Sequence, residues 1–381
     1  MRTLGAPIQP VFIATMPDGR QGFLERDGDR VHPRFQGRFA VPDFDAAPGP
    51  RPRVVWLGGS TARGGSDGVP VEGEAAARVA RALDVEVLNL GAPGADSETL
   101  LALWPEVLPL QPAAVVVQTG HNDLGNRVFG AQGAAVRLRP ALERSQLFLH
   151  LEQAIRGGAP SPLSAERAHG APGRLSEAQR AATLARLSRN LDALVARATA
   201  AGVAVVLVPP ISNPAAPSAA GGCPTLTDDL GLSPQSGGRF VVPANLSLSE
   251  VRRRRAQDPA CTHLALIEGR VLMERHKAEA VALLDTLRDS DPWPLRAPQE
   301  VDERMRVVAE AHGAGFADVD AAARSMGRGL EPPQLFLDNL HLSDAGHALV
   351  AHVVAPELAR ALGVDAAPPP APTLPEVSFL R

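Results

Sequence analysis

Four short segments of the chain carry the residue types that acyl transfer to a serine requires. They read GGST (58–61), GAPG (91–94), GHND (120–123) and DNLH (338–341). A serine hydroxyl is a weak nucleophile until a neighbouring base takes its proton. His341 is the candidate base for Ser60, and Asp338 can accept a hydrogen bond from the other ring nitrogen and fix the tautomer. Each segment alone is a weak signal, but together and in this order they supply the parts of an acyl-transfer site.

The segments fall where strands are predicted to end. Apolar runs predict five strands, at residues 53–59, 85–91, 113–120, 202–210 and 315–319. Helical periodicity between them covers residues 71–83, 100–108, 176–201 and 300–313. This alternation predicts a three-layer α/β/α fold with a mostly parallel, flavodoxin-like sheet and a helical insertion. In such sheets ligands bind beyond the carboxyl ends of the strands, where these segments lie.

Taken together, the segments resemble the SGNH (GDSL-type) hydrolases, a family named for a Ser, a Gly, an Asn and a His in four separate blocks. WLGGST matches the nucleophile block, NLGAPGADS the glycine block, QTGHND the asparagine block and DNLH the last block. The likeness covers roughly residues 53–125 and 300–360, and a subgroup with GGST in the first block and GHN in the third also looks similar. Gly59 stands where many members have Asp, which leaves the triad residues unchanged.

The resemblance implies a serine hydrolase that cleaves carboxylic (acyl or acetyl) esters through an acyl-enzyme, with Ser60, Asp338 and His341 as catalytic residues. It also implies an oxyanion hole formed by the backbone N–H groups of Ser60 and Gly94 and the side-chain amide of Asn122. Each assignment has an ordinary structural alternative. Ser60 could be a helix N-cap, Gly94 and Asn122 turn residues, and the Asp-His pair a surface pair.

Other motif interpretations fit less well. GGSTARGG lacks the spacing and Lys-Ser/Thr ending of a phosphate-binding loop, and GAPGAD lacks the order and downstream acid of a dinucleotide site. The sequence has no G-x-S-x-G elbow and no His, Cys or carboxylate cluster with metal-ligand spacing. The expected mechanism uses no cofactor and no metal.

His121 is interpreted as structural or substrate-facing, and His347 and His352 as packing or surface residues.

Composition narrows the class of protein. The chain has 381 residues, of which 45% are hydrophobic, and a net charge of −4, so nucleic acid is not expected as a partner. Four consecutive arginines (252–255) are expected to form a solvated helix face.

No secretory signal or membrane-spanning stretch is seen, which predicts a cytoplasmic protein. Cys223 and Cys261 are then expected to be free thiols, although an exported protein could pair them.

The chain divides into an N-terminal extension (1–50), a core in two parts (51–210 and 299–365), an insertion (211–298) and a proline-rich tail (366–381). The tail is expected to be extended or disordered. The insertion has helical stretches at 248–257 and 262–287, and the second loosely resembles one tetratricopeptide repeat. A helical hairpin packed on the core is the expected structure.

The insertion leaves the core directly after the fourth predicted strand, so it is predicted to act as a lid over the site. The alternative is a hairpin that docks a protein partner. Substrate could be a small-molecule, lipid or carbohydrate ester. Two further functions remain open at this point: an O-acyltransferase that passes the acyl group to a carbohydrate, and a non-catalytic binding or scaffold protein.

Overall fold

The computed structural model describes residues 14–15, 21–33, 41–64, 69–130, 175–217, 233–234, 240–243, 245–259, 261–291, 294–365, 367–375 and 379. The strands are β1 (Ala14–Thr15), β2 (Gln21–Gly22), β3 (Leu24–Asp27), β4 (Arg30–Pro33), β5 (Phe44–Asp45), β6 (Arg53–Gly58), β7 (Glu86–Asn89), β8 (Ala114–Gln118), β9 (Ala204–Val208), β10 (Ser233–Pro234), β11 (Phe240–Val241) and β12 (Gly315–Phe316). The helices are α1 (Ser60–Arg63), α2 (Ala75–Leu83), α3 (Ser97–Val107), α4 (His121–Gly130), α5 (Glu177–Ala200), α6 (Leu248–Gln257), α7 (Thr262–Leu272), α8 (Lys277–Asp289), α9 (Gln299–His312), α10 (Val319–Met326) and α11 (Asp344–Leu362). Short 3₁₀ turns occur at Val71–Gly73, Leu108–Leu110 and Pro333–Leu335.

The central sheet is parallel throughout and has the strand order β12–β9–β8–β6–β7. Numbered along the chain, this is the 2-1-3-4-5 order of flavodoxin-like sheets, and the order reverses between β6 and β8. Every residue of β6 and β8 is buried, as expected for Val/Leu runs covered on both faces. The predicted fold class is therefore confirmed, and the switch point lies between the strands that lead to Ser60 and Asn122.

Helices cover both faces of this sheet. One apolar layer joins it to α3, α5 and α9, and the other joins it to α2, α10 and α11. Helix α5 packs through leucines at 184, 187, 191 and 194, whose spacing places them on one face. A capping box of Ser176 and Gln179 starts this helix. These layers hold the carboxyl ends of the strands in fixed relative positions.

The N-terminal extension packs against the amino end of the sheet. Strands β3, β4 and β5 form a separate antiparallel sheet whose apolar residues join the core. The carboxylate of Glu106 accepts hydrogen bonds from the N–H groups of Phe23 and Leu24, at 2.9 and 2.7 Å. The buried guanidinium of Arg53 donates to three carbonyls of residues 45–47. This extension therefore lies at the end of the sheet opposite to Ser60.

The helical part of the insertion has its own apolar cluster, formed by α6, α7 and α8. Helices α7 and α8 form a hairpin in which Gly269 allows close packing, because a Cβ there would lie 2.6 Å from Leu284. The four arginines at 252–255 form ion pairs with Glu250, Glu268 and Glu279. They are partly exposed, and their charge is matched by acidic neighbours, so they do not form a free basic patch.

Buried ion pairs join the insertion to the core. Arg288 of α8 lies 2.9 Å from Glu331, and both side chains are almost fully buried. Asp285, one turn earlier, binds Arg324 of α10 at 2.7 Å. A buried charge is costly unless it is paired, so these contacts favour one docked position of α8.

The cysteines and the C-terminal tail are also the subject of predictions. Cys261 is disulfide-bonded, so the expectation of free thiols is wrong for it; Cys223 lies outside the described residues. Disulfides persist mainly in oxidising compartments, so this bond does not support a cytoplasmic location. That location therefore stays a prediction. In the tail, residues 367–375 form neither helix nor strand, and Phe379 is buried in the apolar cluster of the insertion. In the described part of the chain, no helix is long and apolar enough to cross a bilayer.

Candidate active site

Ser60 lies at the carboxyl end of β6, at the start of the one-turn helix α1. Gly59 is the N-cap of this helix, so Ser60 is its first residue and not its cap. The preceding Gly58 is required by close packing, since a Cβ there would lie 2.2 Å from the carbonyl oxygen of Gln118. Ser60 is half-buried, and its N–H belongs to the first turn, where helices lack internal acceptors.

Polar side chains behind α1 hold it in place. The amide of Asn89 donates to the carbonyls of Ala62 and Arg63, at 3.1 and 3.2 Å. The guanidinium of Arg63 lies 3.3 Å from the carboxylate of Glu74, and both side chains are buried. Burial raises the pKa of Glu74, and the charge of Arg63 acts against this. The nucleophile turn is therefore supported by a polar network that the sequence motifs do not reveal.

Asp338 and His341 lie in a tight turn that the chain reaches after β12. The N–H of Leu337 donates to the His341 carbonyl at 2.8 Å and closes this turn. One carboxylate oxygen of Asp338 accepts from the N–H groups of Leu340 and His341, both at 2.8 Å. The other lies 2.6 Å from His341 Nδ1, while His341 Nε2 lies 2.9 Å from Ser60 Oγ. The two residues are thus in line with Ser60 and are not an isolated surface pair.

The carboxylate of Asp338 is held in its charged form. Burial raises the pKa of this carboxyl, but the hydrogen bond and charge of His341, together with the backbone N–H groups, outweigh burial and lower the pKa to about 2. An ionised Asp338 accepts a hydrogen bond from the Nδ1–H group of His341 and keeps the proton on that nitrogen. The lone pair of Nε2 then faces the hydroxyl of Ser60, which is the arrangement that a general base requires.

The other two predicted site residues, Gly94 and Asn122, lie near the turn that carries Ser60. Asn122 is the second residue of α4, and its Nδ2 donates to the carbonyl of Ala95 at 2.9 Å. Gly94 has a φ of +76°, which favours glycine, and its carbonyl accepts from Asn126 Nδ2 at 3.0 Å. These contacts fix the loop after β7 against α4. The structure therefore brings Gly94 and Asn122 together beside the turn that carries Ser60.

His121 does not face this site. Its Nε2 lies 3.1 Å from both the carbonyl of Ile211 and the hydroxyl of Ser212, and the ring is buried. Burial is the largest cause that lowers the pKa of His121 to about 4, and the nearby His341 acts in the same direction. Of the two open interpretations of His121, the geometry supports the structural one.

The two histidines of α11 also have internal partners. His347 Nδ1 accepts from the N–H of Ala75 at 3.3 Å, and His352 Nδ1 donates to the carbonyl of Pro369 at 2.7 Å. Both are packing residues, as expected. Within the described residues, no group of three or more His, Cys, Asp or Glu side chains has the geometry of a metal site.

A known family model matches the part of the chain that contains the first three of the four segments. Residues 56–228 match the model of the GDSL-like lipase/acylhydrolase family, and this stretch contains Ser60, Gly94 and Asn122. This match indicates a GDSL-like lipase/acylhydrolase domain, and the chain is an ester-hydrolysing enzyme. Asp338 and His341 lie beyond the matched stretch, and the fold brings them to it. No curated protein matches the chain.

Several solved structures are similar to the chain. One is a catalytic mutant of an acetylxylan esterase from Geobacillus stearothermophilus, with 15% identity, a TM-score of 0.40 and coverage of 84% of this chain and 97% of that one. Another is an α/β hydrolase enzyme from the metagenome of Lake Arreo, Spain, with 17% identity, a TM-score of 0.38 and coverage of 83% and 96%. A third is a GDSL-like lipase from Bacteroides thetaiotaomicron, with 14% identity, a TM-score of 0.35 and coverage of 82% and 87%. Likenesses this distant do not identify a substrate.

Proposed function

We propose that this enzyme hydrolyses a carboxylic ester through an acyl-enzyme formed on Ser60. The observation that carries the proposal is the line of two hydrogen bonds, with Asp338 at 2.6 Å from His341 Nδ1 and Ser60 Oγ at 2.9 Å from His341 Nε2. A serine with no adjacent base is unreactive at neutral pH, and this serine has one within hydrogen-bond distance.

In the first half of the reaction, Ser60 Oγ attacks the ester carbonyl carbon while His341 Nε2 takes the hydroxyl proton. The Oγ–C bond forms, and the carbonyl electron pair moves to the oxygen. Collapse of this intermediate breaks the bond to the alcohol, which leaves with the proton from His341. Asp338 keeps the imidazole in the required tautomer and stabilises its protonated form.

In the second half, water takes the place of the alcohol. The water oxygen attacks the acyl carbon while His341 Nε2 takes a proton from the water. The bond between the acyl carbon and Ser60 Oγ then breaks, and the proton passes from His341 to Ser60 Oγ as the acid leaves. In both halves, negative charge develops on the carbonyl oxygen. The N–H groups of Ser60 and Gly94 and the amide of Asn122 are the donors we assign to it, since preorganised donors of this kind lower the barrier.

The substrate is proposed to be an acyl or acetyl ester of a small molecule, a lipid or a carbohydrate. We assign the choice among these to the insertion, acting as a lid. Its first residues pack beside the site, because Ile211 and Ser212 contact His121, which precedes Asn122 in α4. Its last residues return to the same place, where the N–H of Ala297 donates to Ser212 Oγ at 3.0 Å.

The proposed function is tested with the Ser60→Ala variant and a fluorophosphonate probe. The wild-type chain should be labelled on Ser60 and should hydrolyse members of a panel of p-nitrophenyl esters and acetylated sugars. Ser60→Ala should lose both properties and keep its circular dichroism spectrum and Tm. Ser325→Ala, which removes a hydroxyl from the exposed face of α10, is the matched control and should keep both.

Turnover of a well-folded Ser60→Ala protein at the wild-type rate would refute the nucleophile assignment. An unlabelled and inactive wild-type chain would instead favour a binding or scaffold role. Adding a carbohydrate acceptor separates the remaining alternative: acyl sugar formed in place of free acid would identify a transferase.

A further inference from the structure

We infer that Asn213 is a positioning residue for the Asp338–His341 pair, an inference that rests on the proposed function. Asn213 belongs to residues 211–217, which follow β9 and which we call the bridging segment. The side chains of Ser212 and Asn213 are only 1% exposed. Neither residue is part of the four sequence blocks, and both lie between the two halves of the site.

Asn213 contacts the turn that carries the base at two successive residues. Its backbone N–H donates to the carbonyl of Asn339 at 2.9 Å, and its Nδ2 donates to the carbonyl of Asp338 at 3.2 Å. The turn returns a bond of its own, from Asn339 Nδ2 to the carbonyl of Pro217 at 3.3 Å. The peptide that leads from Asp338 towards His341 is therefore held by the bridging segment and not by the central sheet.

The side chain of Asn213 is itself fixed before it makes these contacts. The side-chain oxygen Oδ1 accepts from the N–H of Ala215 at 3.0 Å. The backbone carbonyl of Asn213 accepts from the N–H of Ala216 at 3.2 Å. With Oδ1 used in this local turn, Nδ2 points at the Asp338 carbonyl. A buried amide in this arrangement restricts rotation of the turn, because an unpaired buried donor or acceptor is costly.

The other end of the bridging segment contacts the oxyanion side of the site. The Ile211 carbonyl and the Ser212 hydroxyl both contact His121, which precedes Asn122 in α4. The segment thus spans the distance between the assigned oxyanion donor and the assigned base. Catalysis depends on such distances, and a displacement of 1 Å can cost about 100-fold in rate.

The test compares Asn213→Ala with Glu106→Ala. Glu106 also holds two backbone groups, the N–H groups of Phe23 and Leu24, but at the opposite end of the sheet. We expect Asn213→Ala to lower kcat about 10- to 100-fold with KM unchanged, and to slow fluorophosphonate labelling by the same factor. Glu106→Ala should lower Tm and leave kcat and labelling at wild-type values. Rates are normalised to the amount of folded enzyme.

A folded Asn213→Ala protein with wild-type kcat would overturn the inference, and so would a loss confined to the unfolded fraction. If Asn213→Ala does not fold, Asn213→Ser takes its place, because its hydroxyl can still accept from the N–H of Ala215 in a local turn but is too short to reach the carbonyl of Asp338. The same loss in kcat supports the inference, and wild-type kcat refutes it. An active Ser60→Ala protein would refute the proposed function itself, so the two failures are distinguishable.

Discussion

The side-chain amide of Asn122 occupies the space that a side chain at Gly59 would need. A Cβ built on Gly59 would lie 2.4 Å from Asn122 Nδ2, well inside the contact distance of the two atoms. The absence of a side chain at position 59 thus allows the amide to lie against the turn that carries Ser60. The close approach of Asn122 to this turn therefore depends on the glycine of the GGST segment.

We therefore predict that Gly59→Ala lowers kcat by displacing the amide of Asn122. Removing one oxyanion donor typically costs about 100- to 1,000-fold in kcat, and we expect Asn122→Ala to show this loss with little change in KM. Gly59→Ala should approach the same loss. In the Asn122→Ala background, the second change at Gly59 should cost little more, since the displaced group is already absent. The measurement is a double-mutant cycle in kcat.

Additive losses in this cycle would contradict the prediction, because they would show that Gly59 acts through a different contact. A KM effect alone in Asn122→Ala would assign Asn122 to substrate binding. Tm values of all three variants serve as the control, since the methyl group of Gly59→Ala clashes with the Asn122 side chain while the backbone carbonyl of Ala95 lies at ordinary contact distance, 3.4 Å.

Much of this site could be predicted from the sequence because the fold concentrates it at strand ends. Ser60 and Asn122 follow buried strands that are neighbours in the sheet, so locating those strands also brings the two residues together. Asp338 and His341 were predictable as a pair, because three residues of separation suffice for their hydrogen bond. Their contact with Ser60, by contrast, spans 281 positions of the chain and was expected from the need of a serine for a base and from the family resemblance, not from local spacing.

The residues that the sequence did not reveal make their contacts with distant backbone groups. Asn213 lies in a Ser-Asn-Pro stretch, which predicts a turn but not the partner at Asp338, 125 positions away. Phe379 is a single aromatic residue in a proline-rich tail, and its burial depends on the surface that the insertion provides. Such contacts have no periodicity or spacing by which the sequence alone could identify them.

Stability should depend on pH through two buried histidines. Burial lowers the pKa of both His121 and His347 to about 4, against about 6.5 in the unfolded chain. The unfolded state therefore binds more protons between these values, and the stability they contribute is present above pH 6.5 and lost as the pH falls to about 4. We expect the free energy of unfolding to decrease from pH 7 to pH 5 in urea titrations.

His347→Asn should make this decrease smaller, because one of the two titrating groups is removed. His276→Asn, which replaces an exposed histidine of the insertion, is the matched control. An unchanged difference between pH 7 and pH 5 in His347→Asn would show that other groups cause the acid sensitivity.

The contact between Arg288 and Glu331 should be important for holding the insertion on the core. Arg288→Met leaves the buried carboxylate of Glu331 without its closest partner, and breaking a buried pair in this way typically costs about 3–5 kcal/mol. Urea denaturation measures the loss. The further change Glu331→Gln should restore part of it, because no charge is then left buried. Arg360→Ala, which breaks an exposed pair with Glu357, should have little effect on the free energy of unfolding. A similar cost for both arginine variants would refute the docking role.

Leu295 places the end of the insertion beside the helix that carries Asn122. Its Cδ2 lies 3.9 Å from the position of a Cβ on Gly125, three residues after Asn122 and on the same face of α4. The next residue, Arg296, is buried and donates to the carbonyl of Ala216 at 2.9 Å, which fixes this part of the chain. A half-buried apolar side chain held at this place is suited to contact the acyl group of a substrate.

We predict that Leu295→Ala and Leu295→Phe change the preferred acyl length in opposite directions. The smaller side chain leaves room for longer acyl chains, and the larger one favours acetyl esters. One methylene group in an apolar pocket is worth about 10- to 200-fold in specificity, so the shift should be visible in kcat/KM across the p-nitrophenyl ester panel. Leu283→Ala, within the apolar cluster of the insertion, is the matched control and should keep the wild-type ranking. If both Leu295 variants also kept that ranking, the end of the insertion would not contact the acyl group, and a partner-docking role for the insertion would be favoured over a lid.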